Sequence, residues 1–67
     1  MDEFKDRLTE ALKENNLSQT ALAQKISMSQ GAINNYCTGK REPSLEVLFS
    51  ICKALNVRSD YLLGLID

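Results

Sequence analysis

Residues 17–38 read LSQTALAQKISMSQGAINNYCT, Leu17 to Thr38, and the fold turns on how this stretch divides. Leu22 and Ile26 lie one helical turn apart and so share a face, while Ala23 beside them is small enough for a neighbouring helix to come close. Ser18 stands just before this run, where a hydroxyl can accept from the free amides of a first turn, so a helix is expected over 19–26. Ser27-Met28 supplies a tight turn. Ser29 then caps a second helix over 30–38, with Ile33 and Tyr36 turned to the core. Two short amphipathic helices joined by a tight turn are the expected centre of the molecule.

The outer face of the second helix is its informative side. Gln30, Gly31, Asn34 and Asn35 point outward or sideways, and no residue of 30–38 is charged. A helix whose outer face merely meets water usually carries Glu, Lys and Arg there. Asparagine is also a mediocre helix former, so the tandem Asn34-Asn35 works against the helix itself. An amide side chain places a donor beside an acceptor, the geometry that pairs bidentately with adenine in a DNA major groove. Gly31 and Ala32 leave room for backbone or a thymine methyl. Taken alone, the same face also reads as neutral surface.

Charge distribution favours the nucleic-acid reading. The formal net charge is −1, and proteins that hold phosphates are usually basic. Residues 15–41, however, contain no acid and three bases, Lys25, Lys40 and Arg41, for +3. Residues 1–14 hold five acids and three bases, and residues 42–67 four and two, for −2 each. Positive potential is thus confined to the two-helix stretch and its exit.

The flanks supply the remaining helices. Phe4, Leu8, Ala11 and Leu12 recur on one face of a helix expected over 2–15, with Asp2 as its cap and Asn15-Asn16 as its end. Its other face, with Lys5, Asp6, Arg7, Glu10, Lys13 and Glu14, reads as solvated charge. After the second helix of the centre, Gly39 makes a left-handed stop and Pro43 delays the next start. Ser44 caps a helix over 45–55 whose Leu45, Leu48, Ile51, Cys52 and Leu55 are expected as a core stripe, with Val47 and Phe49 beside it. Asn56 closes it, Ser59 and Asp60 open a last short helix, and residues 61–66 are the most apolar run.

Composition bounds the function. With 67 residues, the chain is read as one all-α domain, 1–67, burying about 60% of its unfolded surface. Apolar residues at 43% and charged residues at 25% are globular proportions. Cys37 and Cys52, with no histidine, cannot assemble a zinc set and read as small buried hydrophobes, a disulfide being the alternative. No metal or other cofactor is expected. Nothing pairs a nucleophile with a base or cradles a phosphate in a glycine loop, so no enzyme is expected. Neither a secretory leader nor an apolar run of membrane-spanning length is present, which makes the cytoplasm the default compartment.

The chain resembles the lambda repressor and Cro-like (Cro/C1-type, XRE-like) helix-turn-helix family of bacterial and phage transcriptional regulators. The resemblance is carried by Leu17-Ser18-Gln19, Leu22-Ala23, Ile26, Ile33, Gly39-Lys40-Arg41-Glu42-Pro43-Ser44, Leu48, Ala54-Leu55-Asn56-Val57 and Asp60-Tyr61-Leu62-Leu63-Gly64. It implies a compact five-helix DNA-binding domain with the helix-turn-helix at about 18–38. It further implies that Ser29, Gln30, Gly31, Asn34 and Asn35 face bases, Gln30 and Asn35 foremost, while Gln19, Thr38, Lys40 and Arg41 meet the DNA backbone. The implied partner is a near-palindromic double-stranded operator, bound by a weak homodimer or a dimer formed on DNA, with repression as the expected outcome. Phe49, Tyr61, Leu65 and Ile66 are the candidate dimer surface. An antitoxin-like or other protein-interaction module, or the N-terminal half of a longer regulator, is the competing implication of the same fold. Two departures stand out: Ser27 occupies a turn position usually held by glycine, and Leu12 and Cys37 replace a frequent buried Arg–Glu pair. Leu12 and Cys37 are therefore expected to meet.

Overall fold

Serine hydroxyls start three of the helices. In a computed structural model describing residues 2–67, Ser18 Oγ accepts from the Ala21 amide at 3.0 Å, Ser29 Oγ from Ala32 at 3.1 Å and Ser44 Oγ from Val47 at 3.2 Å. Each satisfies an amide that has no partner within its own helix. The helices are α1 (Asp2–Glu14), α2 (Gln19–Lys25), α3 (Gln30–Thr38), α4 (Leu45–Leu55) and α5 (Ser59–Leu62), with no strand among the described residues. Asp2 lies inside the first turn of α1 and is not its cap; with Glu3 it places negative charge at the positive end of the helix dipole.

The five ends follow one rule. Asn16, Ser27, Gly39, Asn56 and Gly64 have φ of 53°, 58°, 81°, 54° and 79°. The amide of each following residue reaches back five positions: Leu17 to the Leu12 carbonyl, Met28 to Ala23, Lys40 to Asn35, Val57 to Cys52 and Leu65 to Asp60, all within 3.1 Å. This closure needs a left-handed residue at its corner. At Gly39 a Cβ would also stand 2.8 Å from the Lys5 Cδ, so the flexible lysine side chain would have to shift. Ser27 takes the left-handed conformation with its Cβ in place, a strain of about 1 kcal/mol relative to glycine.

Phe4, Leu8, Ala11 and Leu12 of α1 meet Leu22, Ala23, Ile33, Tyr36, Ile51, Leu55 and Leu62 in a single core. Four expectations are corrected. Leu45 does not join the α4 stripe but is 84% exposed. At 100° per residue it points about 100° away from the direction shared by Ile51 and Leu55, so its three-residue spacing to Leu48 runs along the edge of the buried face. Phe49, four residues on, lies on the outer side, 64% exposed and not beside the core stripe. The cysteines are free thiols, each half-buried against the core and not enclosed by it. Cys37 lies at the α1–α3 seam beside Thr9, and Leu12 is buried in the core that this seam borders. Arg7, finally, is not ordinary solvated charge. Its guanidinium stacks on the Tyr61 ring at 4.5 Å and donates to the Tyr61 and Ile66 carbonyls at 3.1 and 2.6 Å, tying α1 to the C-terminal segment.

Candidate nucleic-acid interface

The turn between α2 and α3 determines what α3 can show. The left-handed Ser27 and the bond from the Met28 amide to Ala23 fold α3 back across α2, and the near-complete burial of Leu22, Ala23 and Ile33 fixes the crossing. With Ile33 and Tyr36 committed to the core, the opposite side of α3 must carry Gln30, Gly31, Asn34 and Asn35.

These amides are organised by one side chain of α2. Gln19 Oε1 accepts from Gln30 Nε2 at 3.0 Å and from Asn34 Nδ2 at 3.2 Å. One acceptor with two donors fixes the sense of both α3 amides: each turns its nitrogen toward Gln19 and leaves its carbonyl oxygen and second N–H for other partners. Gln30 thereby keeps the donor and acceptor together that a base edge requires. This coupling was not anticipated from the sequence, where eleven and fifteen positions separate the partners. The only signal was a glutamine directly after an N-cap serine, facing a helix of amides.

The other positions fall into place around this triad. Ser29 spends its oxygen on the cap bond and keeps its hydroxyl proton to donate. Gly31 has no atom within 4 Å of where a Cβ would stand, so a close approach there is open. The Asn35 side-chain amide has no partner among the described residues, while its backbone carbonyl accepts from the Lys40 and Arg41 amides at 2.9 and 3.2 Å and from the Thr38 hydroxyl at 3.4 Å. One residue thus anchors the exit loop and points its side chain along the outer face. The loop wraps back to form a groove of about 620 Å³, with Ser29, Gly31, Asn34 and Asn35 on one side and Arg41, Glu42 and Ser44 on the other. Glu42 and Ser44 on this wall were not singled out beforehand.

The face is uncharged at its centre, Arg41 and Glu42 stand on the exit-loop wall opposite, and Lys25 lies apart from it in a depression with Ile26, Phe49, Ser50 and Lys53. The side chains of Lys25, Lys40 and Arg41 make no ion pair or hydrogen bond among the described residues, so their charges are available to an external anion. Burial pushes the Cys37 thiol upward, partly offset by a hydrogen bond with Thr9, and burial also raises Cys52. Both remain neutral thiols near pH 7, unsuited to metal ligation or nucleophilic work. No group of three or more potential metal ligands is found among the described residues.

The expected dimer residues divide between two places. Phe49, 64% exposed, stands on α4 near Leu45, Leu48 and Cys52. Tyr61 and Ile66 line a separate depression with Glu14 and Val57, where Tyr61 is half-covered by Arg7; Leu65 is exposed at the chain end.

A fold of five helices, with a second helix entering at an αL turn and a third showing uncharged amides, defines a class. A helix-turn-helix family model matches residues 8–62, and the chain belongs to this Cro/C1-type helix-turn-helix family. It is similar to the uncharacterized HTH-type transcriptional regulator YqaE of Bacillus subtilis (strain 168), at 35% identity over 60 residues, covering 90% of this chain and 52% of that protein. It is also similar to the HTH-type transcriptional regulator ImmR of the same organism, at 33% identity over 58 residues, covering 87% of this chain and 46% of that protein. The chain therefore spans about half the length of these relatives.

Proposed function

We propose that this chain binds double-stranded DNA sequence-specifically, inserting α3 into the major groove and regulating transcription, as a repressor, from a near-palindromic operator. The observation that carries the reading is the outer face of α3. An uncharged set of amides, preset by Gln19, sits beside the exit loop that carries the unpaired charges of Lys40 and Arg41. Phosphate contacts supply affinity without sequence information, and base-edge contacts supply the discrimination. Here Lys40 and Arg41 do the first, with Gln19 and Thr38 beside the strand, and Gln30 and Asn35 do the second, with Ser29, Gly31 and Asn34 allowing close fit. One such helix spans only about four base pairs, so two copies related by a two-fold axis, reading half-sites about 34 Å apart, give the specificity a promoter needs. The activity is binding and not catalysis, in keeping with the regulators it resembles.

Selection of duplexes from a random pool, followed by affinity measurement at about 50 and 200 mM salt, tests the reading. Enrichment of half-sites one helical turn apart, with affinity falling steeply at the higher salt, is expected. An unenriched pool at both salts would contradict it.

A further inference from the structure

Among the described residues, α4 is the one helix that turns large apolar side chains to solvent along its outer side. Leu45 and Phe49, one turn apart, are 84% and 64% exposed, and Leu48 and Cys52 continue the surface at its edge. In a small monomer, a contiguous apolar patch of this kind marks an interaction site. The charges beside it identify the occupant. Glu46 and Lys53 are both exposed and seven positions apart, on the same side of the helix with Phe49 between them. Lys53 Nζ lies 5.3 Å from the Phe49 ring centroid, so its stem runs beside the ring and its charge stands next to the patch. An acid two turns before a base on one face is self-complementary when two copies run antiparallel.

We propose that the exposed face of α4 is the surface through which two copies of this chain associate, with the two α4 helices antiparallel about a two-fold axis passing beside Phe49 and Ser50. The axis sets Phe49 against its own copy and places Glu46 of each copy across from Lys53 of the other. Two ion pairs then form along the middle of the contact with the Phe49 pair beside them, whereas a parallel pairing sets Glu46 against Glu46 and Lys53 against Lys53. Lys25, which shares a depression with Phe49, Ser50 and Lys53, stands at the margin of the contact. Two large side chains and their rims bury an area at the low end of specific interfaces, which fits a dimer that is weak in solution and reinforced on DNA. The inference rests on the two-fold arrangement proposed above, and it moves the interface away from Tyr61, whose ring and carbonyl already serve Arg7.

The test is sedimentation of the 67-residue chain without DNA, from micromolar to millimolar concentration, with helicity followed by circular dichroism. Glu46→Lys alone and Lys53→Glu alone each convert both ion pairs into repulsions and should weaken self-association roughly tenfold or more. Mixing these two variants should restore dimers, because each then supplies the charge that the other lacks. Phe49→Ala should abolish association, whereas Leu65→Ala with Ile66→Ala should leave it intact. A chain that stays monomeric throughout, single variants that associate like the parent, or a mixture that associates no better than its components would each overturn the proposal. So would loss of dimers in the Leu65 and Ile66 variant alone, which would move the interface to the chain end. Because DNA is absent, a failure here leaves the reading of α3 standing, and an unenriched duplex pool leaves this result standing.

Discussion

Helices α3 and α4 both bury one side in the same core, and they differ almost wholly in what they show on the other. The outer face of α3 is polar but uncharged, and its amides are held by a neighbour, Gln19. The outer face of α4 carries Glu46 and Lys53 along its middle and the exposed apolar side chains of Leu45 and Phe49 beside them. An ordered array of donors and acceptors suits a partner whose edges are themselves donors and acceptors, as base pairs are. Exposed apolar side chains beside opposite charges suit a protein surface that loses water on contact. One small core therefore carries two faces of different chemistry, and each can be altered without the other.

The largest expected effect removes the common support. Leu22 is fully buried where α2 crosses α3, so Leu22→Ala should cost about 2–5 kcal/mol in urea denaturation and weaken both faces together. A loss of only a few tenths would mean that the faces do not depend on one core. Next in size is Asn35→Ala, which should lower affinity for a selected duplex by about 1–3 kcal/mol, roughly five- to 150-fold, with the melting temperature nearly unchanged. Lys40→Ala should instead weaken all duplexes alike and reduce the salt slope by about one per bound copy. If both variants act alike on all sequences, α3 supplies grip and not reading.

Smaller effects sharpen the comparison at its hinges. Ser27→Gly relieves the left-handed Cβ and should stabilise the fold by up to about 1 kcal/mol, measured by thermal melting, without altering DNA preference. The smallest effect is electrostatic. Hydrogen bonds from the exposed Arg58, at 3.0 and 2.7 Å, hold the partly buried Asp60 carboxyl below its ordinary range. A lowered folded-state pKa means that the contribution is present above the unfolded pKa and is lost as pH falls through the folded one. Wild type should thus exceed Asp60→Asn slightly at neutral pH, and the difference should vanish in acid. A difference that persists in acid would place its origin elsewhere than in this ion pair.

What the sequence made legible was the local part of the fold. Ser18, Ser29 and Ser44 as caps, and Asn16, Gly39 and Asn56 as stops, act within a turn of their own positions, so residue type and spacing suffice. The strained Ser27 followed from a resemblance that expects glycine there. What stayed hidden depends on the direction in which packing turns a helix. Leu45 has the spacing of a core residue but lies at the edge of the stripe, and Arg7 has the setting of a surface charge but meets carbonyls 54 and 59 positions away. The candidate site divides in the same way. Periodicity gathers Gln30, Gly31, Asn34 and Asn35 on one face, but only the crossing of α2 over α3 sets Gln19 against two of them and turns their amides to a common sense.

The reading of DNA by α3 is tested most directly by repeating the duplex selection with Asn35→Ala beside the parent chain. The account predicts that the parent enriches a near-palindrome and that the variant loses preference at one position in each half-site while keeping the half-site spacing and the response to salt. An identical consensus from both proteins would contradict it, because the bases would then be read by something other than the outer face of α3.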